Sequence, residues 1–97
     1  MGADRNKLTK IRRVQREIQL ILFEDWDPIG IKEFTNARDE YDSYVAGVYR
    51  LVAAGADAHP IAQHLLQIEK DRMGLSGQPL TVLEQVAQKL SALRANL

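Results

Sequence analysis

Apolar residues recur at helical spacing in four separate stretches of the chain. In the first, from Arg5 to Glu24, they lie three or four positions apart, with arginine and glutamine on the opposite face. The stripe consists of Leu8, Ile11, Val14, Ile18, Ile21 and Leu22, with Leu20 and Phe23 off its main line. The helix has to end before Pro28, because proline disfavours the α conformation in the preceding residue.

The segment Asp27-Pro28-Ile29-Gly30 is typical of a turn. Asp, Pro and Gly occupy the positions that a type I turn prefers. Asp27 is equally suited to cap a short turn of helix that has Pro28 as its first residue. We therefore expect an irregular connection between the first and second helices.

The second helix is predicted to start near Asn36 or Asp39 and to run to Ala54. Gly47 in its middle costs about 1 kcal/mol relative to alanine, which suggests that another helix approaches closely there. Gly55 is suited to a left-handed cap at its end. The predicted buried stripe is Tyr41, Val45, Val48, Leu51 and Val52, with Tyr44 and Tyr49 beside it.

The third helix is predicted to open at Asp57, with Pro60 in its first turn, and to stop at Gly74. Thr81-x-x-Glu84 predicts a capping box at the start of the fourth. Their stripes are Ile61, Leu65, Leu66, Ile68 and Met73, and then Val82, Leu83, Val86, Leu90 and Leu93. No run alternates with a period of two, so the sequence predicts an all-α, four-helix, bundle-like fold in a single domain, residues 1–97.

The composition of the chain indicates where in the cell the protein is expected. The chain is 45% hydrophobic and 27% charged, has no cysteine, and contains no apolar run of the roughly 18 residues that a membrane span needs. The basic N-terminal segment is not followed by the apolar core of a signal peptide. We therefore expect a soluble, cytoplasmic protein without membrane contact.

The charges are segregated although the net charge is zero. Residues 1–16 carry six Lys/Arg and one Asp, whereas residues 17–42 carry eight acids and two bases. The basic segment Arg5–Arg16 suggests nucleic acid, but the neutral total argues against that class of partner. Pairing of the basic with the acidic segment, within the fold or across a homodimer, is the favoured interpretation.

The candidate site is an acidic aromatic corner, formed by Glu24, Asp25, Trp26, Asp27, Asp39, Glu40, Tyr41 and Asp42. Trp26 either closes the end of the bundle, with its indole N–H on a carboxylate or carbonyl, or forms an exposed binding patch with nearby aromatic residues. The first is favoured, because so small a domain has few other large residues to close its core. Asp39 or Glu40 is suited to the first turn of the second helix, where negative charge is stabilising.

No catalytic set is recognisable. His59 and His64 are five residues apart and so point about 140° away from each other on a helix, unlike a metal-binding pair. The chain has neither a nucleophile–base arrangement nor a glycine-rich phosphate loop. A non-enzymatic role is favoured, with no catalytic residue, metal or cofactor.

The motifs Trp26-Asp27-Pro28-Ile29-Gly30 and Asp39-Glu40-Tyr41-Asp42 resemble those of a family of small bacterial helical proteins of unknown function, which share WDP(I/L)G and DEYD elements. The resemblance covers roughly residues 8–75 and implies a compact helical fold, without a defined activity or cofactor. The function predicted is a protein-interaction module of regulatory or immunity type, which presents the corner to another, basic protein. The alternative is a metal-dependent or small-molecule enzyme that uses the carboxylates of Asp25, Asp27, Asp39 and Asp42.

Overall fold

The computed structural model describes residues 2–28, 30 and 41–97, and of residues 2–6 it gives only the helical backbone. This part of the chain contains four α-helices and no strand, which confirms the predicted all-α, bundle-like fold. The helices are α1 (Gly2–Ile21), α2 (Val45–Ala53), α3 (Ala58–Gln67) and α4 (Leu80–Ala92). The most extensive helix–helix contact joins α3 to α4, and α1 packs against both α2 and α4. Every helix in the described part is too short or too polar to cross a lipid bilayer.

Two of the helices end in a π-helical turn, in which a backbone N–H donates to the carbonyl five residues earlier. The first π-helical turn (Leu22–Trp26) extends α1, and the Asp27 N–H closes it on the Leu22 carbonyl at 3.0 Å. The second π-helical turn (Ile68–Arg72) extends α3, and the Met73 N–H closes it on Ile68 at 3.1 Å. The extra residue in each turn rotates the following side chains relative to a continued α-helix.

The predicted turn follows the first π-helical turn directly. Asp27 has the left-handed φ of 31°, and the Gly30 N–H donates to its carbonyl at 3.1 Å. Asp27 therefore ends the preceding helical segment, so the alternative in which it caps a new helix at Pro28 is wrong. The first helical segment ends at Trp26, ahead of Pro28, as predicted.

Gly47 and Gly55 have the roles in α2 that the sequence predicted. Gly55, with φ 81°, ends the helix: its N–H donates to Val52 at 3.0 Å and the Ala56 N–H to Leu51 at 2.9 Å. This pair of bonds is a Schellman motif. The predicted close approach at Gly47 is also confirmed, because a Cβ there would lie 3.2 Å from His64 Nε2 of α3.

The starts of the second and fourth helices were both predicted from the sequence. The capping box at Thr81 is wrong, because Val82 and Leu83 donate to the Pro79 carbonyl and α4 has already begun at Leu80. The predicted start of the second helix at Asn36 or Asp39 lies outside the described residues. The described part of this region begins with a 3₁₀ turn (Asp42–Tyr44) that leads into α2.

The core draws on all four helices and both π-helical turns. Leu8, predicted to be buried, is 47% exposed. It belongs to residues 7–10 of α1, which are all exposed and which no described element covers. Val82 is 41% exposed, whereas Phe23, placed off the main stripe, is buried within the first π-helical turn. The buried apolar residues are Val14, Ile18, Leu22, Phe23, Trp26, Tyr41, Val48, Val52, Ile61, Ala62, Leu65, Ile68, Leu83, Val86, Ala87 and Leu90.

Candidate functional site

Trp26 lies at the centre of the acidic aromatic corner and is buried. Its side chain is 2% exposed, and its ring packs against Tyr41 at 5.4 Å and edge-on against Tyr44 at 6.0 Å between ring centroids. Such tilted and edge-to-face arrangements are the favoured ones for aromatic pairs. The favoured interpretation of Trp26 as a core residue is confirmed, and the exposed aromatic patch is wrong for this side chain.

The partner of the indole is the carboxylate of Glu69. The Trp26 Nε1–H donates to Glu69 Oε2 at 2.8 Å, and the two residues lie on the first and second π-helical turns. Gln78 donates twice more, from its backbone N–H to Oε1 at 2.7 Å and from its side-chain amide to Oε2 at 2.8 Å. Glu69 is 1% exposed. Three donors suit a carboxylate, which in its ionised form only accepts.

Sequence reasoning predicted a carboxylate or carbonyl for the indole but did not identify Glu69. A signal for it exists, because Glu69 follows the buried Leu65 by four positions and therefore lies on the buried face of the helix. An acid at such a position requires hydrogen-bond donors, and Trp26 and Gln78 are the donors available.

The acids of the corner do not share one surface. Glu24 and Asp25 are exposed on the first π-helical turn, and Asp25 Oδ2 lies 3.3 Å from Lys89 Nζ of α4. Asp27 is half-buried and accepts a hydrogen bond from the Tyr41 hydroxyl at 2.8 Å. Asp42 is exposed and accepts one from the Gln19 amide at 2.8 Å. Asp39 and Glu40 lie outside the described residues.

The sequence offered a metal site formed by four aspartate carboxylates as an alternative. Among residues 2–28, 30 and 41–97, no group of three or more His, Asp or Glu side chains is arranged to hold a metal ion. Asp25, Asp27 and Asp42 each contact a different neighbour, namely Lys89, Tyr41 and Gln19. The fourth carboxylate of that arrangement, Asp39, is not described.

The two histidines have different environments. His59 is exposed, and its Nδ1 lies 2.9 Å from Glu84 Oε1, so the Glu84 side chain contacts α3 and does not cap α4. His64 is half-buried between α2 and α3. Burial lowers the pKa of His64 below its ordinary value of 6.5.

Comparisons of the chain with protein-family models, with curated proteins and with solved structures found no match. The family resemblance therefore rests on the two motifs alone. The first motif supplies Trp26, the last residue of the first π-helical turn, and the bend at Asp27; its Ile29 is not described, and of the second motif only Tyr41 and Asp42 are described.

Proposed function

We propose that this chain is a non-enzymatic protein-interaction module, of regulatory or immunity type, which presents Glu24 and Asp25 to a protein with a basic surface. The observation that supports it is the first π-helical turn, which buries Leu22, Phe23 and Trp26 on one side and exposes the two acids on the other. π-Helical turns are frequent at functional sites. We place the protein in the bacterial cytoplasm, in keeping with the motif resemblance and the cysteine-free sequence.

The buried side of the turn holds the acidic side in a fixed position. Trp26 is tied to the second π-helical turn through Glu69 and wedged against Tyr41, so the backbone that carries Glu24 and Asp25 has little freedom. A pre-organised surface loses less conformational entropy on binding. Exposed acids also accelerate association with a basic protein, with a salt-dependent rate.

Helix stabilisation does not account for the two acids. They follow the C-terminal end of α1, where the helix dipole disfavours negative charge by about 0.3–1 kcal/mol per group. The capping role that suits acids at a helix start therefore does not apply to Glu24 and Asp25. Their position costs stability, which favours a role in binding.

Within the described part of the chain, Asp25 is only weakly neutralised. Arg12, Arg13 and Arg16 form no ion pair there, although they had been expected to pair with the acidic segment. The Asp25–Lys89 pair is solvent-exposed, and such pairs contribute about 0–1 kcal/mol. A cation of a partner can replace Lys89 at small cost. A second copy of the chain, through its basic α1, is the other candidate partner.

The test is affinity capture from the native cytoplasm with charge-reversed variants. Glu24→Lys/Asp25→Lys should keep or raise the melting temperature, because lysine suits the end of a helix, and should lose a basic protein that the wild type retains. The matched control is Asp71→Lys, which reverses an exposed acid at the fourth position of the second π-helical turn, where Asp25 lies in the first. This control should retain the partner.

A charge swap separates the proposal from a purely internal role. Asp25→Lys/Lys89→Asp preserves the ion pair in reversed order but presents the wrong sign at residue 25. Under the proposal, the swap keeps stability and loses the partner. If Asp25→Lys alone unfolds the protein and the swap restores both stability and binding, the acids act only within the fold.

The alternative of a metal-dependent enzyme has a separate readout. Purification followed by metal analysis would give a stoichiometric divalent cation if Asp25, Asp27, Asp39 and Asp42 form a site. That result, lost on Asp27→Asn, would replace the interaction proposal. We expect no such stoichiometric metal, because Asp27 already accepts the Tyr41 hydroxyl.

A further inference from the structure

A cleft of about 440 Å³ lies between α2, α3 and the second π-helical turn. Its volume falls within the range of pockets that bind small molecules. The polar side chains that line it are Ser43, Arg50, His64, Gln67, Asp71 and Arg72, with Tyr44 at one wall. None of the described acids of the corner belongs to this lining, so the cleft is distinct from the surface that carries Glu24 and Asp25.

The lining carries an excess of positive charge. Arg50 of α2 and Arg72 of the second π-helical turn approach from different elements, and Asp71 is the carboxylate among the lining residues. Neither guanidinium forms a hydrogen bond or an ion pair with any described residue, and Asp71 forms none either. Surface arginines that are left unpaired at a concave site are available to bind an anion.

The inner part of the cleft is a tightly packed helix contact. Gly47 has no side chain, so the His64 imidazole approaches the α2 backbone, with Nε2 3.2 Å from the place that a Cβ would occupy. Tyr44 is fixed by its edge-on contact with the buried Trp26. His64 and Tyr44 thus provide ring surfaces and polar atoms in set positions, whereas the two arginines are exposed at the rim.

We infer that this cleft binds a small anionic molecule, whose phosphate or carboxylate group pairs with Arg50 and Arg72. The guanidinium group matches both anions, since its planar N–H donors bind two oxygens at once. The volume exceeds that of the anion itself, so the rest of the molecule lies against Tyr44, Gly47 and His64. This site does not depend on the proposed role of Glu24 and Asp25.

The inference is tested by titration of the ¹⁵N-labelled full chain with inorganic phosphate, pyrophosphate and citrate, followed by amide chemical shifts. Sodium chloride at matched ionic strength is the blank. We expect saturable shifts at residues 43–50 and 64–72 with at least one of the three probes. Phosphate and pyrophosphate against citrate distinguish a phosphate ligand from a carboxylate ligand.

Two variants and one control connect the shifts to the arginines. Arg50→Gln and Arg72→Gln should each weaken binding about tenfold, as expected for the loss of a charge-assisted hydrogen bond. Arg13→Gln, an exposed arginine of α1 outside the cleft, removes the same charge and should leave the affinity unchanged. All three residues are exposed, so the variants should fold, which the unchanged amide spectrum would verify.

Either of two results would overturn the inference. One is the absence of saturable shifts in the cleft with all three probes. The other is equal weakening by Arg13→Gln and Arg50→Gln, which would mean that the anions respond to overall charge alone. Because these variants leave Glu24 and Asp25 untouched, failure here is independent of the affinity-capture result.

Discussion

The buried carboxylate of Glu69 is the residue on which the corner depends. Removing a charge from water is costly unless donors replace the lost hydration. Trp26 and the two N–H groups of Gln78 supply them, at 2.7–2.8 Å. One side chain thereby joins the end of α1, the end of α3 and the approach to α4.

The first prediction concerns the hydrogen bond between Trp26 and Glu69. Trp26→Ala should lower the free energy of unfolding by about 3–5 kcal/mol, the usual range for a large buried aromatic residue. Glu69→Gln should cost about 1–3 kcal/mol, because its new amide donor faces N–H groups that need an acceptor. Chemical denaturation measures both, with Lys70→Gln, an exposed neighbour, as the control that should stay within about 0.5 kcal/mol.

A double-mutant cycle shows whether the two residues act together. Trp26→Phe retains an aromatic ring but removes the N–H, and its effect should be smaller in the Glu69→Gln background than in the wild type. A coupling energy of about 0.5–3 kcal/mol is expected for residues in direct contact. Additive effects, or indole fluorescence typical of a solvated ring, would contradict the described contact.

Among the helical elements, the sequence predicted the helices and their C-terminal ends well, but it misplaced the start of α4. The apolar stripes place α1, α3 and α4 correctly, because a face that must be buried leaves a 3.6-residue period. The π-helical turns leave no such mark, so Phe23 was placed off the buried line. Just before Leu80, Gln78 binds Glu69, and the helical period does not encode this contact, so the start of α4 was misplaced. The sequence pattern of Thr81 and Glu84 matches a capping box, but it carries no information about the contact between Gln78 and Glu69.

The second prediction tests the contact between α2 and α3. Alanine in place of Gly47 should stabilise a helix interior by about 1 kcal/mol. Its Cβ would lie only 3.2 Å from His64 Nε2, so the imidazole must move and part of that gain is lost. In a His64→Ala background, Gly47→Ala should give the full gain. Equal effects of Gly47→Ala in both backgrounds, measured by thermal unfolding, would show that the contact does not restrict residue 47.

On the scale of the whole molecule, α1 separates two regions of opposite charge. Its exposed bases, from Lys7 to Arg16, occupy the N-terminal part, and Glu24 and Asp25 follow its C-terminal end. A helix of this length spans about 30 Å, in a molecule whose longest dimension is 47 Å. Glu24 and Asp25 lie in the last turn of this helical segment, where the helix dipole disfavours negative charge, whereas the bases from Lys7 onward lie beyond its first turn, where the effect of the dipole has fallen off.

The third prediction is a pH dependence of global stability that arises from His64. Burial lowers its pKa in the folded state below the ordinary 6.5, and the groups that line the same cleft are Arg50, Asp71 and Arg72. Above about pH 6.5 the imidazole is neutral in both states, and its contribution to stability is complete. As the pH falls below this value, the unfolded chain binds the proton first, so the folded state loses stability until the folded pKa is passed. Between about pH 7.5 and about pH 5, the wild type should therefore lose more free energy of unfolding than His64→Gln, in which every other titrating group is retained. Equal losses in the two proteins, measured by chemical denaturation, would mean that the His64 pKa is not lowered by its place between α2 and α3.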